Sequence, residues 1–211
     1  MRKSSDRSTV AELLHRKLLR QMRPPRWSPS MFRLASEAGC FQDAKVELIG
    51  GRLVEMTENP PHMDCVFNVD AALKELLPAN RWFVAREVSA RFPRWTPLPD
   101  VAVHRGPRQP TYEDRLPSAS DAALIVEVSE STYLKDRTVK LARYARAAIP
   151  TYWIVHLEHR RVEVYSQPAG RRYMKREDYD ETAEVPVVLD GVPQGRLAVC
   201  DILPKRKASE A

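Results

Sequence analysis

A glutamate stands in the middle of an apolar run, Ala123-Leu124-Ile125-Val126-Glu127-Val128. An ionised carboxylate placed there is costly unless a cation or several hydrogen-bond donors meet it. Upstream, Pro99-Asp100 leads into Val101-Ala102-Val103, and Lys140 lies on a helical stretch downstream. Two carboxylates on neighbouring strand ends beside a lysine make a toolkit for magnesium and phosphate. Phosphodiester hydrolysis needs a hard cation on the scissile phosphate, a water made nucleophilic and a stabilised leaving oxygen. Magnesium takes oxygen ligands and keeps several waters. Asp100, Glu127 and the Val128 backbone carbonyl would be the protein's share, and Mn2+ could substitute for Mg2+. Lys140 would position or activate the attacking water and offset phosphate charge. Each group also has a plainer reading. Asp100 could cap a loop, Glu127 could pair with an arginine, and Lys140 could form a surface ion pair with Asp136 four residues earlier.

The elements that must hold these residues show as hydrophobic patterns. The run around Glu127 does not alternate, which is the pattern of a strand buried on both faces. Strands are expected over 45–49 and 52–55, joined by the tight turn Gly50-Gly51. A helix is expected over about 62–77, with Val66, Val69, Leu73, Leu76 and Leu77 on one face. Strands follow over 82–92, 101–104 and 123–129. A helix over 135–148 offers Val139, Leu141, Ala142 and Ala145 as its apolar positions. Strands over 151–157 and 162–166 come next, then weaker ones including 185–189 and 196–200. Before them, Ser28 caps and Pro29 begins a short helix that Gly39 ends. Residues 10–22 read as a basic amphipathic helix after the capping box Thr9-Val10-Ala11-Glu12, stopped by Pro24-Pro25. This order of elements describes an α/β (α+β) domain around a mixed central sheet.

The 211 residues suit one domain with appendages: an extension at 1–27, a body at 28–203 and a basic tail at 204–211. Residues 1–26 hold eight basic and two acidic residues, which is the whole net charge of +6, so the remainder is neutral. That extension would favour a polyanion, nucleic acid above all, through counterion release; a solubilising leader is the alternative. No stretch approaches the roughly 18 to 20 apolar residues of a membrane span, and the charged N-terminus lacks a signal-peptide centre. Cys40, Cys65 and Cys200 lack metal-type spacing, which suits reduced thiols in the cytoplasm.

Several of these segments together resemble the Uma-two family of restriction-endonuclease-like proteins. They are the hairpin 46–56, His62 after the prolines, Pro99-Asp100-Val101-Ala102-Val103, and Leu124-Ile125-Val126-Glu127-Val128-Ser129. The helix Asp136-Arg137 to Tyr144-Ala145, followed by Ile149-Pro150-Thr151-Tyr152-Trp153-Ile154-Val155, is the most specific match. The resemblance covers about residues 28–203. It implies a PD-(D/E)XK nuclease-like core with an N-terminal β-hairpin, and divalent-metal-dependent cleavage of phosphodiesters, in DNA first. It matches Asp100 and Glu127 to the two metal-binding acids and Lys140 to a helical lysine. The more usual lysine, two places after the second acid, is Ser129 here. Glu47 matches a hairpin glutamate that could reach the metal through water, and His62 a histidine that could touch phosphate or simply start a helix. The strand commonly closed by aspartate ends in His156, which reads as surface variation, and the turn commonly Asp-Gly is Gly50-Gly51. Two rival readings stay open. One is a nuclease-fold DNA binder without turnover; the other is an assembly module. A homodimer would suit cutting two strands.

Overall fold

The computed structural model describes residues 26–41, 46–55, 59–92 and 95–206. The expected helix over 10–22 lies outside the described residues, as does the end of the basic tail. In chain order the elements are α1 (Pro29–Glu37), β1 (Val46–Ile49), β2 (Arg52–Glu55), α2 (Pro60–Leu76), β3 (Trp82–Arg86), β4 (Val101–Arg105) and β5 (Ala122–Ser129). A helical segment, α3, then runs as Tyr133–Lys135, a π turn Asp136–Lys140, and Leu141–Arg146. It is followed by β6 (Thr151–His156), β7 (Arg161–Ala169), β8 (Arg172–Asp180), β9 (Glu184–Leu189), β10 (Val192–Ala198) and the short α4 (Val199–Ile202).

Six strands form the central sheet in the order β3-β4-β5-β6-β7-β8. All neighbours are antiparallel except β5 and β6, which run parallel. A parallel pair needs a long crossover, and α3 supplies it. β1 and β2 form a separate hairpin whose turn residues Gly50 and Gly51 take φ of 61° and 78°, the left-handed region open to glycine. β5 is buried along its whole length, as its unbroken apolar run requires.

Each face of the sheet has its own core. On one side Val101, Val103, Leu124, Val126, Val128, Trp153 and Val155 pack with α2, α4 and the β9–β10 hairpin. On the other, Ala102, Ile125, Tyr152 and Ile154 pack with Phe92, Trp95 and Tyr144 of α3. Strand alternation therefore sends Glu127, two places after Ile125, toward α3.

Some boundaries differ from the sequence pattern for physical reasons. The strand expected over 82–92 stops at Arg86, because Glu87 adopts φ 53° and its amide donates to the Asp100 carbonyl at 3.1 Å. The strand expected over 196–200 ends at Ala198, and residues 199–202 turn into α4. The largest correction concerns α3. Val139, expected on its buried face, is 42% exposed, while Asp136 and Lys140 are 1% exposed. In the π turn the Leu141 amide donates to the Asp136 carbonyl, five residues back. One extra residue per turn rotates the following side chains and carries Asp136, Lys140 and Tyr144 onto the sheet together.

Candidate active site

β1, β4, β5 and α3 bring four carboxylates around one ammonium group. Glu127, 1% exposed, accepts a hydrogen bond from Lys140 Nζ at 2.9 Å on Oε2 and from the Tyr144 hydroxyl at 2.7 Å on Oε1. Lys140 Nζ also lies 3.4 Å from Glu47 Oε1 and 3.5 Å from Asp136 Oδ1. Glu47, fully buried on β1, accepts from the Leu98 amide at 3.2 Å and from Lys135 Nζ at 3.3 Å. Asp136 accepts from the Ser129 and Thr132 hydroxyls at 2.7 and 2.6 Å on Oδ2, while its buried Oδ1 accepts no hydrogen bond.

Asp100 enters the cluster from the start of β4. The register that pairs Val101 with Val126 places it opposite Glu127. Its Oδ2 accepts from the Val128 amide at 2.7 Å and lies 3.4 Å from His62 Nε2 on the first turn of α2. That turn is fixed by Asn59, whose side chain accepts from the His62 amide at 3.0 Å, with Pro60 and Pro61 at the first helical positions. Asp100 Oδ1 accepts no hydrogen bond among the described residues. In an extended strand a residue's N–H and C=O point to the same side, so the Val128 carbonyl faces the edge on which its amide meets Asp100. The structure thus brings together Asp100, Glu127, Lys140, Glu47, His62 and Val128, and adds Asp136, Lys135 and Tyr144.

The electrostatics follow from the burial. Loss of water pushes the Glu127 carboxyl well above its ordinary value; Lys140 opposes this, while Asp100, Asp136 and Glu47 reinforce it. Burial also works against the charge of Lys140, but Glu127, Glu47, Asp136 and Asp100 together outweigh it and hold the amine well above its ordinary value. An amine so held keeps its proton, so Lys140 can donate and attract but cannot serve as a base. Burial, Glu127 and Glu47 push the Tyr144 hydroxyl up as well, which keeps it a donor to Glu127.

Counting charges tests whether a divalent cation fits. Glu47, Asp100, Glu127 and Asp136 face Lys135 and Lys140, so full ionisation leaves two uncompensated negative charges, with His62 at the margin. An all-oxygen donor set in which Asp136 Oδ1 accepts no hydrogen bond among the described residues and meets only Lys140, at 3.5 Å, suits Mg2+ or Mn2+. Both Glu127 oxygens are occupied, so its Oε2 would have to exchange Lys140 for the ion. Ligand atoms gathered within 4.8 Å of one another belong instead to His156, Glu158 and His159 on the β6–β7 turn, a nitrogen-rich set suited to a transition metal.

A second polar layer adjoins the first. Glu163 of β7, fully buried, accepts from the hydroxyls of Tyr133 and Tyr165 at 2.8 and 2.6 Å and from Arg161 at 2.7 Å. Burial alone would raise this carboxyl, yet these donors and Arg176 hold it below its ordinary value. His156 is no surface variation. It is 2% exposed and stacks face to face on Tyr133 at 3.9 Å. The Asp136–Lys140 pair is likewise buried rather than superficial.

A family model described as "Putative restriction endonuclease", Uma2, matches residues 32–199 of this chain. The chain belongs to the Uma2 family. The matched span contains every residue of the acidic cluster around Lys140. Among solved structures, the fold is similar to that of a "putative nuclease belonging to DUF820" from Anabaena variabilis ATCC 29413. The TM-score is 0.57 at 16% identity, over 77% of this chain and 91% of that one. No curated protein matches the chain. Among the described residues no helix is long and apolar enough to cross a membrane. Sequence patterning missed three members of this Uma2 cluster. Asp136 resembled a surface partner of Lys140, Tyr144 one aromatic among many, and Lys135 a helix-start cation. The signal for Asp136 was its spacing of four from Lys140, which set both on whichever face the helix buried.

Proposed function

We propose that the chain is a divalent-metal-dependent endonuclease that hydrolyses phosphodiester bonds in DNA. The observation that carries this reading is the gathering of four carboxyl groups about two lysines in a largely buried cluster, with Asp100 Oδ1 accepting no hydrogen bond among the described residues. Such a gathering is costly to bury when ionised and calls for a cation. Asp100, Glu127 and the Val128 carbonyl are the groups that would hold Mg2+, with Mn2+ as substitute. Bound there, the ion would neutralise the scissile phosphate and lower the pKa of a water. Lys140, protonated and within reach of Glu47 and Asp136, would donate to the attacking water or to a phosphate oxygen and hold it in line. Glu47 keeps Lys140 and Lys135 in place. His62, beside Asp100 at the cluster's margin, would donate to the phosphate. The free thiols fit the cytoplasm, and two copies would serve to cut both strands.

The test is cleavage of supercoiled plasmid by pure protein with Mg2+, beside Asp100→Asn. Loss of at least about a hundredfold in rate, with an unchanged melting curve, is expected. Equal cleavage by both proteins would sink the reading. The saturation of Glu127 by Lys140 and Tyr144 favours a second one, a DNA binder whose cluster is closed on itself and takes no metal. Calorimetry separates the two: no heat of Mg2+ binding with DNA affinity intact selects the binder.

A further inference from the structure

The acidic cluster cannot by itself attract a polyanion, since its own excess charge is negative. The cations lie next door. Arg26, Arg143, Arg146 and Arg171 line a groove of about 750 Å³ together with Trp27 and Trp95, and no acidic side chain lines it. Five separate parts of the chain build it, the stretch bearing Phe92 and Trp95 among them. The segment before α1 is tied to the hairpin turn by the Trp27 amide, which donates to the Gly51 carbonyl at 2.9 Å. The last turns of α3 contribute Arg143 and Arg146, and the β7–β8 turn contributes Arg171.

Arg143 joins the groove to the cluster. It follows Lys140 by three residues, about 4.5 Å along a helix axis. It feels the charge of Glu47, and its guanidinium sits 5.3 Å over the Trp95 ring. Gly50 keeps the opposite wall low, because a Cβ there would come within 3.0 Å of an Arg143 nitrogen. Trp95, which lines this groove, is 3% exposed, and its indole N–H meets no acceptor among the described residues. Arg146 and Arg171 are exposed and make no hydrogen bond or ion pair among the described residues. With no carboxylate partner among the described residues, the guanidinium forks of Arg146 and Arg171 are open to meet phosphate, beside Arg143 over its ring face.

We infer that this groove binds the nucleic-acid strand flanking the scissile phosphate, its arginines on successive phosphates and the half-exposed Trp27 against a base. Phosphates would be met bidentately by guanidinium forks, and base–indole stacking tolerates any sequence. The inference rests on the nuclease reading for the direction of the strand but not for its binding.

Fluorescence anisotropy of a labelled 20-nucleotide single strand tests it on the full chain in EDTA, where no cleavage can occur, between 50 and 200 mM salt. Arg146→Ala with Arg171→Ala should weaken binding at least about tenfold and flatten the log–log salt slope by about 1.4, two released counterions at 0.7 each. Trp27→Ala should weaken binding about fivefold or more, and Trp27→Phe should restore most of it. Arg108→Ala with Arg172→Ala, an equal charge loss on two exposed arginines outside the groove, should change little. Wild-type affinity and slope in the double variant would overturn the inference. So would an equal loss in the Arg108→Ala, Arg172→Ala control, or displacement of the strand by polyglutamate at the same charge concentration. Failure here and failure of the nuclease reading are distinguishable. Cleavage abolished by Asp100→Asn, with binding unmoved by the groove variants, sinks only the groove; groove-dependent binding without any cleavage sinks only the nuclease.

Discussion

Glu127 and Glu163 pull the protein's pH response in opposite directions. The Glu127 carboxyl is raised by burial, so the folded state holds its proton more tightly than the unfolded chain does. Its contribution is fully present below the ordinary carboxylate value and is lost as pH rises through the raised one. Glu163 is depressed, chiefly by its tyrosine and arginine donors against the penalty of burial, so its contribution is present above the ordinary value and is lost as pH falls. Two outcomes follow. Glu127→Gln should leave the metal-free protein at least as stable as the wild type at pH 8, while abolishing Mg2+ binding; chemical denaturation and calorimetry check both. Mg2+ should also bind the wild type with release of a proton from Glu127, so its affinity should rise with pH. Calorimetry in buffers of different ionisation enthalpy reads that proton. A pH-independent affinity would place the ion elsewhere, and a response only to Zn2+ that His159→Ala removes would place it on the β6–β7 turn.

The π turn of α3 governs how the cluster is assembled. A regular helix would turn Lys140 about 40° and Tyr144 about 80° away from Asp136, and the wide turn brings the three closer to one line facing the strand. Tyr152 stabilises the distortion, its hydroxyl lying 3.2 Å from the Asp136 carbonyl that the wide turn exposes. Lys140 is the centre of this arrangement. Lys140→Ala should cost about 3–5 kcal/mol at neutral pH, the magnitude of breaking a buried ion pair. Part of that loss should return as the pH is lowered, because Glu127, held high by burial, then takes up a proton in place of its lost partner; urea unfolding at neutral and acid pH measures it. This element also marks where sequence patterning runs out. Glu127 was visible because one charge interrupts an apolar run. The strands, the Gly50-Gly51 turn and α2 were visible because their periods are regular. The burial of Lys140 was invisible, because an Asp–Lys pair four residues apart with Val139 beside it spells a solvated face. Glu163 was hidden for a similar reason. Between Val162 and Val164 it alternates as a solvent-facing residue would, and only the tyrosines of other elements make its site an interior one.

Taken whole, the molecule keeps its charges apart. The body holds an acidic pocket flanked by a cationic groove, and the entire net positive charge sits in the first 26 residues. Removing residues 1–25 should therefore lower affinity for DNA and flatten its salt dependence without moving the cleavage rate at saturating substrate. Filter binding across a salt series, beside single-turnover cleavage, checks this. An unchanged salt slope would assign the extension to some other partner.

The one parallel pairing in the sheet has a consequence for truncated chains. Glu47, Asp100, Glu127 and Lys140 all precede β6 in the chain, yet β5 gains its second neighbour only when Trp153 and Ile154 arrive beside Val126 and Glu127. A chain that ends before residue 151 therefore carries every candidate ligand but lacks the strand that pairs with β5. Such a fragment leaves the edge of β5 beside Glu127 bare, so it should not assemble the acidic cluster and should self-associate through that edge instead.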